Sequence, residues 1–187
     1  MKKIIKLMLV ITSLQLSGCA SLVAPSYSPS YESIDQVKKV KAVRLSVGTV
    51  LPTDPAAKVN TISLRGSSLK ASDGTFAKYL ENAIVSDLKE MGFYDSTSSS
   101  RIDITILKND IDISGFSNGN GMLEAAVKVT RNNVVSLDKT YTATTQFDSS
   151  FAGAVAIPKG QSEYPNLVRA FLTQLYSDSA FVEAIKQ

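Results

Sequence analysis

The chain has 187 residues, with 20 lysines and arginines against 17 acidic residues, one cysteine and no histidine. A single cysteine excludes an internal disulfide, and the lack of histidine excludes a Ser-His-Asp triad, a Cys-His dyad and a histidine-based zinc site. Three of the basic residues and none of the acidic ones lie in residues 1–18, so removal of that segment leaves 17 of each and takes away the electrostatic basis for a nucleic-acid partner.

Removal of that segment is expected from its pattern. Lys2, Lys3 and Lys6 precede an apolar stretch from Leu7 to Leu16, which is the layout of an export signal and is too short for a permanent membrane span. The run Leu16-Ser17-Gly18-Cys19 closes it and resembles the lipobox of bacterial lipoproteins. The resemblance implies that residues 1–18 are a signal peptide, that the Cys19 thiol takes a diacylglyceryl group, and that the amine freed by cleavage is acylated as well. Several acyl chains, at about 0.8 kcal/mol per buried methylene, give near-permanent attachment where one chain is marginal. Ala20 stands where an aspartate favours inner-membrane retention in the enterobacterial sorting rule, so the resemblance implies the periplasmic face of the outer membrane.

Residues 19–36 are rich in Ser, Pro and Tyr, lack a sustained apolar period, and read as a flexible tether. A single periplasmic domain is expected over 37–187. Val43, Leu45 and Val47 alternate with polar residues as in a strand with one buried face, and Ile62 and Leu64 suggest a short edge strand before Arg65-Gly66. Phe76, Leu80, Ala83, Ile84, Leu88 and Met91 recur at helical spacing, with Asp73 or Thr75 as the N-cap and Gly92 as the stop. Ile102, Ile104 and Ile106 form a strand whose parity changes before Ile111 and Ile113, which predicts a β-bulge near 107–109. Asn118-Gly119-Asn120-Gly121 reads as a hairpin turn, and Leu123 to Val129 as the next strand. Asn132-Asn133 marks a second turn, before the alternating strand from Leu137 to Phe147. A helix with Pro165 in its first turn and an apolar face from Leu167 to Leu175 follows, then a short helix capped by Asp178. The order β-α-β-β-β-α predicts an α+β fold: an antiparallel β-sheet of about four strands with two helices on one face.

Residues 76–186 resemble the YajG-type family of small outer-membrane lipoproteins, and more distantly the auxiliary lipoproteins of lipid-transport systems. The likeness is carried by Phe76, Tyr79 and Leu80 leading to Leu88, Gly92 and Phe93, by Phe147 and Phe151, and by Leu172, Leu175, Asp178, Phe181 and Ile185-Lys186. These are core and capping positions, so the resemblance implies fold much more than function.

Asp110 and Asp112, with Asp103 nearby, are a candidate carboxylate pair or weak calcium site, but their i, i+2 spacing on one face suits solubilising charge better. Gly119 and Gly121 connect strands with no helix N-terminus behind them, which argues against a phosphate loop. Lys38, Lys39, Lys41 and Arg44 read as protection of a sheet edge rather than a lipid-binding patch. No cofactor or metal is expected, and no enzymatic activity. The segment 151–158 is apolar throughout and falls in a connection, so Phe151, Val155 and Ile157 either pack on the core or form a docking surface for a partner. The expected function is that of a lipid-anchored, non-enzymatic lipoprotein binding an envelope protein or supporting an envelope assembly. The alternative is an accessory role in lipid or glycan transport across the envelope, which calls for an apolar cavity between helices and sheet.

Overall fold

The computed structural model describes residues 22–187; Cys19 and the signal peptide lie outside the described residues. The elements in chain order are β1 (Leu22–Val23), α1 (Tyr31–Lys38), β2 (Ser46–Val47), a 3-10 turn (Lys58–Asn60), β3 (Ile62–Leu64), β4 (Ser67–Lys70), α2 (Phe76–Met91), β5 (Arg101–Asp112), β6 (Asn118–Arg131), β7 (Val134–Asp148), α3 (Gly153–Ser177) and α4 (Ser179–Ile185). The fold is α+β. The main sheet has four strands in the order β2-β5-β6-β7, antiparallel except for β2, which runs parallel to β5. A second sheet, β1-β4-β3, was not anticipated; β4 is four residues long with only Leu69 fully buried, too short to show a period.

Alternation puts Ile102, Ile104, Ile106, Ile111, Leu123, Ala125, Val127, Val129, Leu137, Tyr141 and Ala143 on one buried face of the main sheet. Helices α2 and α3 cover that face through Phe76, Leu80, Ile84, Leu88, Leu167, Val168, Phe171, Leu172 and Leu175, all at most 1 % exposed. At roughly 1.5–3 kcal/mol for each large apolar side chain removed from water, this layer dominates the stability of the fold. The expected bulge lies between Ile106 and Lys108, where the register shifts and returns the buried set to one side. Thr75 caps α2 by accepting from the Lys78 amide at 3.0 Å, and Gly92 ends it at φ 77°, a conformation that costs a side chain strain. Asn132 and Asn133, both with positive φ, form the expected tight turn between β6 and β7.

Asn118-Gly119-Asn120-Gly121 is not a turn: it opens β6 and pairs with both neighbouring strands. A Cβ on Gly119 would meet the Phe147 ring at 2.4 Å, and one on Gly121 would meet Thr145 Oγ1 at 2.6 Å. Both glycines therefore serve close packing within the sheet rather than chain reversal. The helix expected at Pro165 begins instead at Gly153 and contains Pro158 and Pro165. Each proline removes one backbone donor, but fully buried Ala156 and Tyr164 anchor that turn of the helix to the core.

The expected flexible tether is also corrected. From Leu22 onward the N-terminal segment is packed: β1 lies beside β4, Ala24, Ile34 and Val37 are buried, and Tyr79 donates to the Pro25 carbonyl at 2.7 Å. The polar composition concealed this because the segment is held largely by hydrogen bonds. Tyr27 donates to the buried Asp87 carboxylate, 3.0 and 3.1 Å from its two oxygens, with the Tyr176 phenol buried beside it. Burial pushes the Asp87 carboxyl up to about 6, against the opposing pull of the Tyr27 and Tyr176 hydroxyls and of Arg169. A raised carboxyl pKa favours the protonated form in the fold. The stability it supplies is present below about pH 4 and is lost as pH rises to 6, by about 3 kcal/mol in total. Asp87→Asn, which carries no charge, is expected to gain on the native chain by up to about that amount between pH 4 and 6.5, read by denaturant unfolding across the range.

Candidate docking surfaces

Three features of the surface are left unexplained by the packing of the core. The first is at the end of the main sheet where β5 passes to β6 and β7 passes to α3. Phe116 is 79 % exposed and Phe151 71 %, yet their rings lie together, with centroids 5.7 Å apart and planes tilted by 30°. Val155, on the first turn of α3 and four residues after Phe151, is exposed as well. Arg65 fixes the two connections. It sits at φ 51° before Gly66 in the β3–β4 turn, and its guanidinium donates to the carbonyls of Ile113 (2.9 and 3.2 Å), Ser150 (3.0 Å) and Phe151. One cation thus clips both loops, so the aromatic pair is presented on a defined backbone.

Of the residues expected to dock, Phe151 and Val155 are exposed, while Ile157 is half-buried against the core. Phe116 takes its place. The signal in the sequence was an aromatic side chain alone among Ser, Gly and Asn, in Ser114-Gly115-Phe116-Ser117-Asn118.

The second feature is an open cleft of about 780 Å³ on the sheet face turned away from the helices. Lys58 and Val59 form one wall, and Asp110, Asp112, Asn120, Met122, Thr144 and Gln146 line the strands. On the other, helix-facing side of the same strands, Asn109 Oδ1 and Thr145 Oγ1 are buried with no protein partner, near Tyr164 and Leu167 of α3. Asp112 accepts from the Ser114 amide at 2.8 Å, and this bond holds its carboxyl below the usual carboxylate range. Asp103 pairs instead with Arg101 at 2.6 Å, near the start of β5, so the three aspartates are not brought together. Among the described residues no three His, Cys, Asp or Glu side chains are grouped to hold a metal ion.

The third feature is the outer edge of β7. The strand is 15 residues long and ends the sheet, and among the described residues no strand pairs with its far side. Thr140 to Phe147 contains neither proline nor charge, the devices that usually blunt an edge; Asp138, Lys139 and Asp148 lie only at its ends. Lys139 and the Tyr141 hydroxyl both reach Asp178, at 2.8 and 2.6 Å, which secures one end of the strand to the cap of α4.

The basic cluster is at the other end of the sheet from the aromatic pair. Arg44 donates to the Gly92 carbonyl, and Ser46 pairs with Arg101 at the start of β5. Among the described residues no helix is long and apolar enough to cross a membrane.

No protein-family model and no curated protein matches this sequence. Solved structures do resemble it. The crystal structure of protein XCC0632 from Xanthomonas campestris, of family DUF330, is 14 % identical over 86 % of this chain and 95 % of its own, with a TM-score of 0.59. A candidate lipoprotein from Caulobacter crescentus CB15 is 8 % identical over 80 % of this chain and 93 % of its own, with a TM-score of 0.44. The first likeness shows a shared fold, and at that identity it carries no activity across.

Proposed function

We propose that this chain is a lipid-anchored, non-enzymatic binding protein of the bacterial envelope, attached through acylated Cys19 to the periplasmic face of the outer membrane, and that it receives an extended strand of an envelope protein on the free edge of β7. The anchor is supported by the lipobox pattern Leu16-Ser17-Gly18-Cys19, and the YajG-type resemblance of residues 76–186 belongs to the same reading. The observation that carries the binding reading is the uncharged, proline-free run from Thr140 to Phe147 on an unpaired edge. Its unpaired amides and carbonyls offer a ladder to an incoming strand, and the exposed Thr140, Thr142, Thr144 and Gln146 side chains offer contacts at every second residue.

The alternative role in lipid or glycan transport calls for an apolar cavity between helices and sheet, and the packing there does not favour it. The space between helices and sheet is filled by Phe76, Tyr79, Tyr164 and Phe171, each fully buried.

A photo-crosslinking residue at Gln146 in intact cells is expected to give one discrete protein adduct. Adding Thr142→Lys and Thr144→Lys should reduce its yield about tenfold, if two charges on the edge together cost roughly 1.4 kcal/mol of strand pairing. An adduct that survives both lysines, or no adduct at all, contradicts docking on β7.

A further inference from the structure

The direction in which the chain enters the fold bears on the exposed aromatic pair. β1 runs parallel to β4, with Leu22 opposite Leu69 and Val23 opposite Lys70. Followed backward from Val23 to Leu22, the chain therefore heads toward the start of β4 and the Arg65-Gly66 turn. That turn is the one whose arginine holds the Ile113 and Phe151 carbonyls. α3 runs along the same side: its first residue, Gly153, lies beside Arg65, and Gln161 donates to the Val23 carbonyl at 2.8 Å.

The length between anchor and fold is short. Three residue steps separate Cys19 from Leu22, a reach of at most about 11 Å at 3.6 Å each. The same number of steps separates Leu69 from Gly66. Acyl chains on Cys19 therefore restrict the bilayer surface to the neighbourhood of the Arg65 turn, the end of the molecule that carries Phe116 and Phe151.

We propose that Phe116, Phe151 and Val155 rest in the interface of the bilayer that holds the anchor, so that the domain stands on the membrane by this tip. The proposal rests on the acylation of Cys19 advanced above. The surface chemistry fits a lipid interface. Two phenyl rings left 79 % and 71 % exposed to water gain by entering the headgroup boundary, as apolar side chains of interfacial proteins do. The charged side chains of the bordering connections are Arg65, Asp112 and Asp148, of mixed sign, so the attraction is apolar rather than electrostatic and should persist in salt. In this orientation the main sheet rises from the membrane and carries the β6–β7 turn away from it.

The chain contains no tryptophan, which gives a probe without background. Phe116→Trp and Phe151→Trp are each placed in the full acylated protein, extracted from native membranes and reconstituted in phosphatidylcholine vesicles brominated on the acyl chains. Val134→Trp serves as the control: Val134, 67 % exposed, opens β7 opposite Arg131 at the far end of β6, roughly 45 Å away along the strand. The expected result is blue-shifted emission and about twofold quenching for both tip probes, unchanged in high salt, with little quenching of the control. Protein that floats with the vesicles while its tip probes are quenched no more than the control overturns the tip assignment and leaves the anchor standing. So does a tip shielded from brominated lipid by a bound protein. Protein that fails to float contradicts the anchor reading, and the tip assignment falls with it.

Discussion

Replacing Tyr164 with alanine is expected to cost about 3–5 kcal/mol of stability and to lower the melting temperature by roughly 6–20 °C. The ring is wholly buried where α3 meets α2. Its centroid is 4.5 Å from that of Phe76 and 5.1 Å from that of Tyr79, the latter edge-on at 74°. Removing it leaves a cavity between two helices whose backbones are fixed elsewhere, by Gly160 packed on Ile113 and by Leu167, Val168 and Phe171 in the core. Such a site cannot collapse, which places the loss toward the upper end for an aromatic deletion. The hydroxyl behaves differently. It is buried without a protein partner, with the Asn109 side chain beside it, and burial pushes its ionisation far up. Tyr164→Phe is thus expected to change stability by less than about 1 kcal/mol, or to increase it. Denaturant unfolding of the two variants separates the parts of the residue; a Phe variant as unstable as the Ala variant would show that the hydroxyl, not the ring, holds the helices.

The elements most legible in the sequence are those whose burial is periodic. α2 was visible because its apolar residues recur at helical spacing and both caps are local: Thr75 bonds three residues ahead, and Gly92 needs only its own φ. The bulge in β5 was visible because a change of parity between Ile106 and Ile111 has one economical explanation when a face must stay buried. The N-terminal segment was not legible. Tyr27 and Pro25 are tied to Asp87 and Tyr79, partners more than 50 positions away, and a run of Ser, Pro and Tyr shows no period that would reveal it.

The glycines at 119 and 121 misled for a related reason. Two Asn-Gly pairs carry the chemistry of a turn, but what they meet is Phe147 and Thr145 across the sheet, a tertiary demand that a local reading cannot see. The start of α3 was hidden by Pro158, which normally forbids a helix interior. At the surface, the apolar character of 151–158 pointed to Phe151 and Val155, but Ile157 turns toward the core, and the second ring of the pair comes from Phe116 in another loop. The edge of β7 was legible as a strand and not as an edge, because sheet order is decided by pairings far apart in the chain.

The N-terminal correction changes what the anchor implies. A tether of 19–36 would let the domain stand well away from the bilayer, whereas a fold that begins at Leu22 holds it at the surface. The membrane attachment and orientation proposed for the molecule then depend on Cys19. The most direct measurement is the partition of a Cys19→Ser chain, exported behind a cleavable secretory signal peptide, against the native protein during metabolic labelling with fatty acid. Several acyl chains give attachment that withstands washing, while three exposed apolar side chains at about 1.5–3 kcal/mol each give only weak, reversible contact. The native protein is predicted to carry the label and to remain with the outer membrane through salt and carbonate washes, and the Cys19→Ser chain to be unlabelled and soluble in the periplasm. A native protein that takes up no fatty acid, or a Cys19→Ser chain that stays with the outer membrane through the same washes, would contradict the account.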